Sequence, residues 1–138
     1  MKKVIIDTNV WISFLIGHQV QSLCRILTDP RFDVYVCQQL IDELCDVANR
    51  KKIAKFITHA DLNDLLTIIH AYCHQAEITT EAPSGSIRDP KDIYLLSLAE
   101  TIKADYIISG DTDLTVLLKY RQTSIVKLAD FKQMMRLS

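Results

Sequence analysis

The chain has no CxxC cysteine pair, no HExxH string, no apolar run of membrane-spanning length and almost no net charge. Each absence removes a class of protein. The four cysteines, Cys24, Cys37, Cys45 and Cys73, are scattered, which points to buried thiols rather than disulfides or a zinc cluster. His70 and His74 have helical ligand spacing with Cys73 beside them, but no glutamate completes a zinc-hydrolase pattern, so they read as partly exposed helix residues. Charged or polar residues interrupt every apolar segment, so no membrane partner is expected. The opening MKKVIID shares only its two lysines with a signal peptide, and Asp7 cuts the apolar stretch short. It reads as a first strand, with the cytoplasm as the expected compartment.

A net charge of −1 gives no global field to draw in a polyanion. The basic residues are nevertheless grouped. Arg50, Lys51, Lys52 and Lys55 form the densest cluster, and Arg88, Lys91, Lys119 and Arg121 lie near acids in sequence. Such groups are solvated helix faces by default and phosphate contacts as the alternative. No internal repeat or low-complexity tract is visible.

What is present is an alternation of strand and helix patterns over 138 residues, 49% of them hydrophobic and 24% charged. That length and composition fit one globular domain, 1–138, with a full core. KKVIID, DVYVC, a segment around AEI, ADYIIS and TSIVK read as short strands. VWISFLIG and QVQSLCRIL read as helices parted near Gly17, followed by QQLIDELCDVANR, ADLNDLLTIIHAYC, PKDIYLLSLAETIK, LTVLLKY and DFKQMMRL. EAPSGSIR is the clear loop. Strands alternating with helices imply a three-layer α/β/α fold around a parallel sheet of about five strands.

Acids fall at one edge of that frame. Asp7 ends the first strand, with Asn9 two residues on. Asp111 follows YIISG, another strand-to-helix junction. In RDPKD, Asp89 precedes a proline suited to the first helical position and reads as the cap, which leaves Asp92 in the first turn. Glu43 borders the stripe of Leu40, Leu44 and Val47, whereas Asp42 falls further round. Singly, each is an ordinary cap, turn residue or helix-dipole complement. Jointly they belong to the carboxyl edge, where parallel α/β folds place their sites. Two like charges about 4 Å apart repel by about 4 kcal/mol at a surface-like dielectric, and a Mg²⁺ or Mn²⁺ between them relieves that. Such cations prefer carboxylate and water oxygens and suit phosphodiester hydrolysis.

The segments DTNVWIS, LIDEL, RDPKDIYLLSLA and IISGDTDLTVL resemble the PIN domain, and within it bacterial toxins of toxin–antitoxin pairs. The resemblance spans nearly the whole chain. It implies a PIN-like parallel α/β fold, Mg²⁺ or Mn²⁺ as cofactor, and endoribonuclease cleavage of single-stranded RNA. It also implies a small antitoxin as partner and a homodimer or higher homo-oligomer. By motif match, Asp7, Glu43, Asp92 and Asp111 take the catalytic and metal-binding positions. Asn9, Asp89, Ser109 and Asp113 take supporting ones, with Thr112 an alternative to Ser109 and the choice between Asp111 and Asp113 open. Trp11 stands where the family has an aliphatic residue and reads as packing rather than base stacking.

Two other classes remain. A phosphotransfer protein also puts aspartates at strand ends. An aspartyl-phosphate phosphatase would want an acid at position 9, though, and a receiver a clear edge lysine, for which Lys127 is a poor candidate. A non-catalytic RNA- or protein-binding module would keep the fold without needing the acids.

Overall fold

A computed structural model describes residues 1–137. β1 (Lys2–Ile6) carries Val4, Ile5 and Ile6 in succession, all fully buried. Consecutive rather than alternating burial marks a strand covered on both faces. It is central: the sheet order is β3-β2-β1-β4-β6-β5. β2 (Phe32–Val36) and β3 (His74–Gln75) lie to one side of β1; β4 (Tyr106–Ile108), β6 (Thr123–Val126) and β5 (Lys119–Tyr120) lie to the other. The first five named are mutually parallel, and β5 alone runs antiparallel, against β6.

Helices flank this sheet. α1 (Thr8–Ile16) and α2 (Val20–Leu27) connect β1 to β2; α3 (Gln38–Ala48), α4 (Lys51–Ala54) and α5 (His59–Tyr72) connect β2 to β3. A 3₁₀ turn (Pro90–Asp92) leads into α6 (Ile93–Ile102) before β4, α7 (Thr112–Thr115) precedes β5, and α8 (Leu128–Met134) closes the chain. α5 begins with a reciprocal capping box between Thr58 and Asp61. Phe131 of α8 packs fully buried against Phe32, ring centroids 5.1 Å apart, and edge-on to Tyr106 at 5.6 Å. No described helix is long and apolar enough to cross a membrane.

The five-stranded parallel sheet expected from the alternation is there, with departures at three places. LTVLLKY is not a helix: α7 ends at Thr115 and Lys119–Tyr120 is a strand. Leu118 between them has φ 60°, a left-handed conformation that no α-helix continues through. The strand expected around AEI starts earlier, at His74, because Tyr35 and Val36 of β2 pair with His74 and Gln75. The helix expected from Pro90 opens as a 3₁₀ turn and becomes α-helical only at Ile93.

This topology positions the site. From β1 the chain winds outward through β2 and β3, then returns to the other side of β1 to lay down β4 and β6. The reversal between β1 and β4 is a topological switch point, where an open α/β sheet leaves a crevice outside its carboxyl ends.

Candidate active site

Ile6 is in register with Ile108, and Ile108 with Val126. The next residues along β1 and β4 are therefore Asp7 and Ser109, side by side past the strand ends. The Asp7 amide extends the ladder by donating to the Ile108 carbonyl at 2.9 Å, and Ser109 Oγ donates to Asp7 Oδ2 at 2.7 Å. Ser109 is fully buried and Asp7 is 3% exposed, so this carboxyl group is held in the protein interior just past the strand ends. Burial, more than anything else, raises its pKa; the charges of Glu43 and Asp111 add to the rise, and Ser109 opposes it.

Asp111 caps α7: its carboxylate accepts from the Asp113 amide at 2.9 Å, and its own amide donates to Ser109 Oγ at 3.0 Å. Ser109 thus ties together two of the acids named from sequence. Asp92 is 8% exposed and lies close enough to Asp111 for a side-chain hydrogen bond, which requires a proton on one of them. Burial first, then that bond, then the charges of Asp7, Asp111 and Glu43 push the Asp92 carboxyl up to about 7.

Glu43 reaches the same crevice from α3. Its Oε2 accepts from Thr8 Oγ1 at 2.9 Å and from Tyr94 OH at 2.5 Å. Asp42 points elsewhere, exposed and bonded to Gln38, as the edge of the apolar stripe implies. The electrostatic coupling of Asp7, Glu43, Asp92 and Asp111 places all four in one neighbourhood.

The supporting residues divide. Ser109 is inside the network. Asp113 is a step outward: it gives its amide to Asp111, and its carboxylate faces Arg88 at 3.8 Å. Asp89 caps the 3₁₀ turn by accepting from the Lys91 amide at 3.0 Å. Asn9 and Thr112 are exposed. Trp11 is fully buried and donates its indole N–H to the Ile6 carbonyl at 2.8 Å, which excludes base stacking. His70 is exposed, His74 pairs with Asp33 at 3.3 Å and stacks on Tyr35, and burial raises the Cys73 thiol to about 12. Thr8 and Tyr94 were not singled out in the sequence. Thr8 directly follows Asp7, and Tyr94 lies two residues after Asp92, which is the only local signal either offers.

Among the described residues no three Asp, Glu, His or Cys side chains are gathered as a ready-made metal cage. The donor set nevertheless fits a hard dication. All the groups are carboxylate oxygens, Asp7 and Asp92 are buried and Glu43 and Asp111 half-buried, and burial first, then the neighbouring negative charges, raise Asp7 and Asp92. Mg²⁺ keeps several waters and needs only one or two carboxylates from the protein, so a closed cage is not required.

The raised Asp92 has a consequence for stability. Below pH 3.8 the carboxyl is neutral folded and unfolded; between about 4 and 7 only the folded state keeps the proton; above 7 the folded state carries the full penalty. Metal-free protein therefore loses stability through this group as pH rises from 4 to 7. Asp92→Asn is expected to be more stable than wild type by roughly 1–2 kcal/mol at pH 8, after discounting for solvent screening, and by nothing at pH 3.5. Urea unfolding in EDTA at the two pH values measures this; an equal difference at both contradicts it.

Carboxylates grouped at the switch point of a mostly parallel sheet define a class: α/β proteins whose chemistry sits at the carboxyl edge. The chain belongs to the PIN domain family, whose model matches residues 3–113. The fold is similar to the PIN domain of human SMG5, with TM-score 0.54 at 14% identity over 96% of this chain and 98% of that one. It is also similar to the T. brucei RRP44 PIN domain, with TM-score 0.49 at 17% identity over 98% and 82%. No curated protein matches the chain. PIN domains are generally nucleases and typically use divalent metal ions.

Proposed function

We propose that this protein is a Mg²⁺- or Mn²⁺-dependent endoribonuclease that cleaves single-stranded RNA at the crevice between β1 and β4. The observation that carries this is the buried Asp7 at the switch point, electrostatically coupled to Glu43 and Asp111 and, through Asp92, to the whole acid group. In this reading Asp7, Asp92, Asp111 and Glu43 hold the cation directly or through water. When bound, such a cation supplies Lewis-acid polarisation of the phosphate and a low-pKa water. The protein's own part is geometric. Ser109 fixes Asp7 and Asp111 relative to each other, and Thr8 and Tyr94 fix Glu43. The buried ends of β1 and β4 keep Asp7 and Ser109 out of bulk water. Arg88, exposed at the rim beside Asp113, supplies a phosphate contact that holds the chain without reading bases.

The test is cleavage of a labelled single-stranded RNA with Mn²⁺ or Mg²⁺ present and with EDTA. Metal-dependent cleavage supports the reading; no cleavage under any of these conditions refutes it. The resemblance to bacterial toxins extends the proposal to growth inhibition restrained by a small antitoxin. Induced expression is then expected to arrest bacterial growth, and the Asp7→Asn variant, at equal abundance, to leave growth unchanged.

A further inference from the structure

We infer that Tyr94 is a positioning residue for Glu43: with Thr8 it clamps one carboxylate oxygen of Glu43 and so prepares the other for a cation or its water. The inference rests on the nuclease reading above for its catalytic consequence, but not for its geometry.

The four acids reach the crevice differently. Asp7, Asp92 and Asp111 have short side chains on backbone that is itself fixed, by the β1–β4 ladder, the 3₁₀ turn and the α7 cap. Glu43 alone comes from α3, and it alone extends a long side chain from a half-buried helix position. Immobilising such a side chain costs rotamer freedom. Left loose, it would meet that cost each time a ligand bound.

Two hydroxyls remove the problem. Thr8 Oγ1 and Tyr94 OH both donate to Glu43 Oε2, at 2.9 and 2.5 Å, and neither bond uses Oε1. The two hydroxyl oxygens lie 3.4 Å apart, so they approach the same oxygen from neighbouring directions. The donors are not arbitrary. Thr8 is the residue after Asp7 and Tyr94 is two residues after Asp92. Each therefore comes from the segment that delivers another acid, and Glu43 is registered simultaneously to the end of β1 and the start of α6. Tyr94 is half-buried among apolar neighbours, where a hydroxyl without a partner would be costly, so this bond is also the one that makes a tyrosine tolerable there.

Tyr94→Phe deletes the hydroxyl and keeps the ring. Single-turnover and steady-state RNA cleavage, with Mn²⁺ calorimetry on the same preparations, read the effect. Expected are a fall in kcat and in Mn²⁺ affinity of about tenfold each. KM for RNA stays within about twofold, because no RNA contact is lost. In a Glu43→Ala background, which leaves no acceptor at position 43, the same substitution is expected to change nothing further, since the interaction it removes is already gone. A purely structural role would give a similar loss in both backgrounds, and that result overturns the inference; so does unchanged kcat and Mn²⁺ affinity in Tyr94→Phe. If wild-type protein binds Mn²⁺ but does not cleave RNA, the nuclease reading falls and the calorimetry alone decides the clamp. If it binds no Mn²⁺, both fall.

Discussion

Asp7→Asn is expected to lower metal-dependent RNA cleavage by at least about 10³-fold, a loss of roughly 4 kcal/mol of transition-state stabilisation. The substitution is nearly isosteric. The amide oxygen of Asn can still accept from Ser109 Oγ, so that contact is kept. What goes is the negative charge, and with it the central oxygen ligand in the proposed site. The folded state does not need that charge: Asp7 is 3% exposed, and burial and the neighbouring acids push its pKa up. Metal-free Asp7→Asn protein is therefore expected to melt at or above the wild-type temperature at neutral pH. Lost activity with undiminished stability separates a chemical role from a structural one. Asp111→Asn is expected to act in the same direction, because Asp111 shares Ser109 with Asp7. Wild-type cleavage rates in either purified variant would end the assignment.

The convergence of these acids at one edge of the sheet was legible without coordinates, because each sits where a charge is costly to the fold. A strand of consecutive buried β-branched residues that runs into an aspartate conflicts with the cheapest way to end a strand in a core. VIID carries that conflict directly and IISGD two residues beyond its strand, and the β1–β4 register, with Ile6 opposite Ile108, sets Asp7 beside Ser109, which in turn accepts from the Asp111 amide. Glu43 was legible for a related reason, since it borders the apolar stripe whereas Asp42 lies in solvent. Asp89 and Asp92 separated because proline at the first helical position marks the cap, and Asp89 does cap the turn.

The parts that escaped were set by tertiary contacts. LTVLLKY has helical apolar spacing, but Lys119 and Tyr120 pair with Ser124 and Thr123, and Leu118 takes a left-handed conformation to turn the chain into that hairpin. Nothing local announces a pairing that depends on β6. Tyr94 and Thr8 escaped similarly. Their roles exist only through Glu43, which is 51 and 35 residues away, and hydrophobic periodicity is blind to a hydroxyl tip on a packing residue. His70, Cys73 and His74 show the converse: the helical spacing is broken because α5 ends at Tyr72 and His74 begins β3, where it pairs with Asp33 and stacks on Tyr35.

Trp11→Ala is expected to destabilise the protein by about 4–6 kcal/mol, combining a large cavity with the loss of a buried hydrogen bond. Against a typical domain stability of roughly 5–15 kcal/mol, that can leave the variant close to unfolded. The side chain is fully buried at the first turn of α1, and its indole N–H donates to the Ile6 carbonyl at 2.8 Å. The position of that bond matters as much as its energy. The Ile6 carbonyl and the Asp7 amide belong to one peptide plane, and the amide donates to Ile108 at 2.9 Å. The plane is thus pinned from both sides, by Trp11 and by β4, and it sets where the Asp7 side chain begins. Trp11→Phe separates the two effects: it keeps much of the ring volume and removes the donor. It is expected to cost about 1–3 kcal/mol, mostly from the unpaired carbonyl, and to lower cleavage severalfold while the protein remains folded. Because Trp11 is the single tryptophan of the chain, its fluorescence reports wild-type unfolding, but the variants must be followed by circular dichroism in urea. A loss below about 1 kcal/mol in Trp11→Ala would mean that the indole does not brace the end of β1, since even a partly collapsed core cavity costs more.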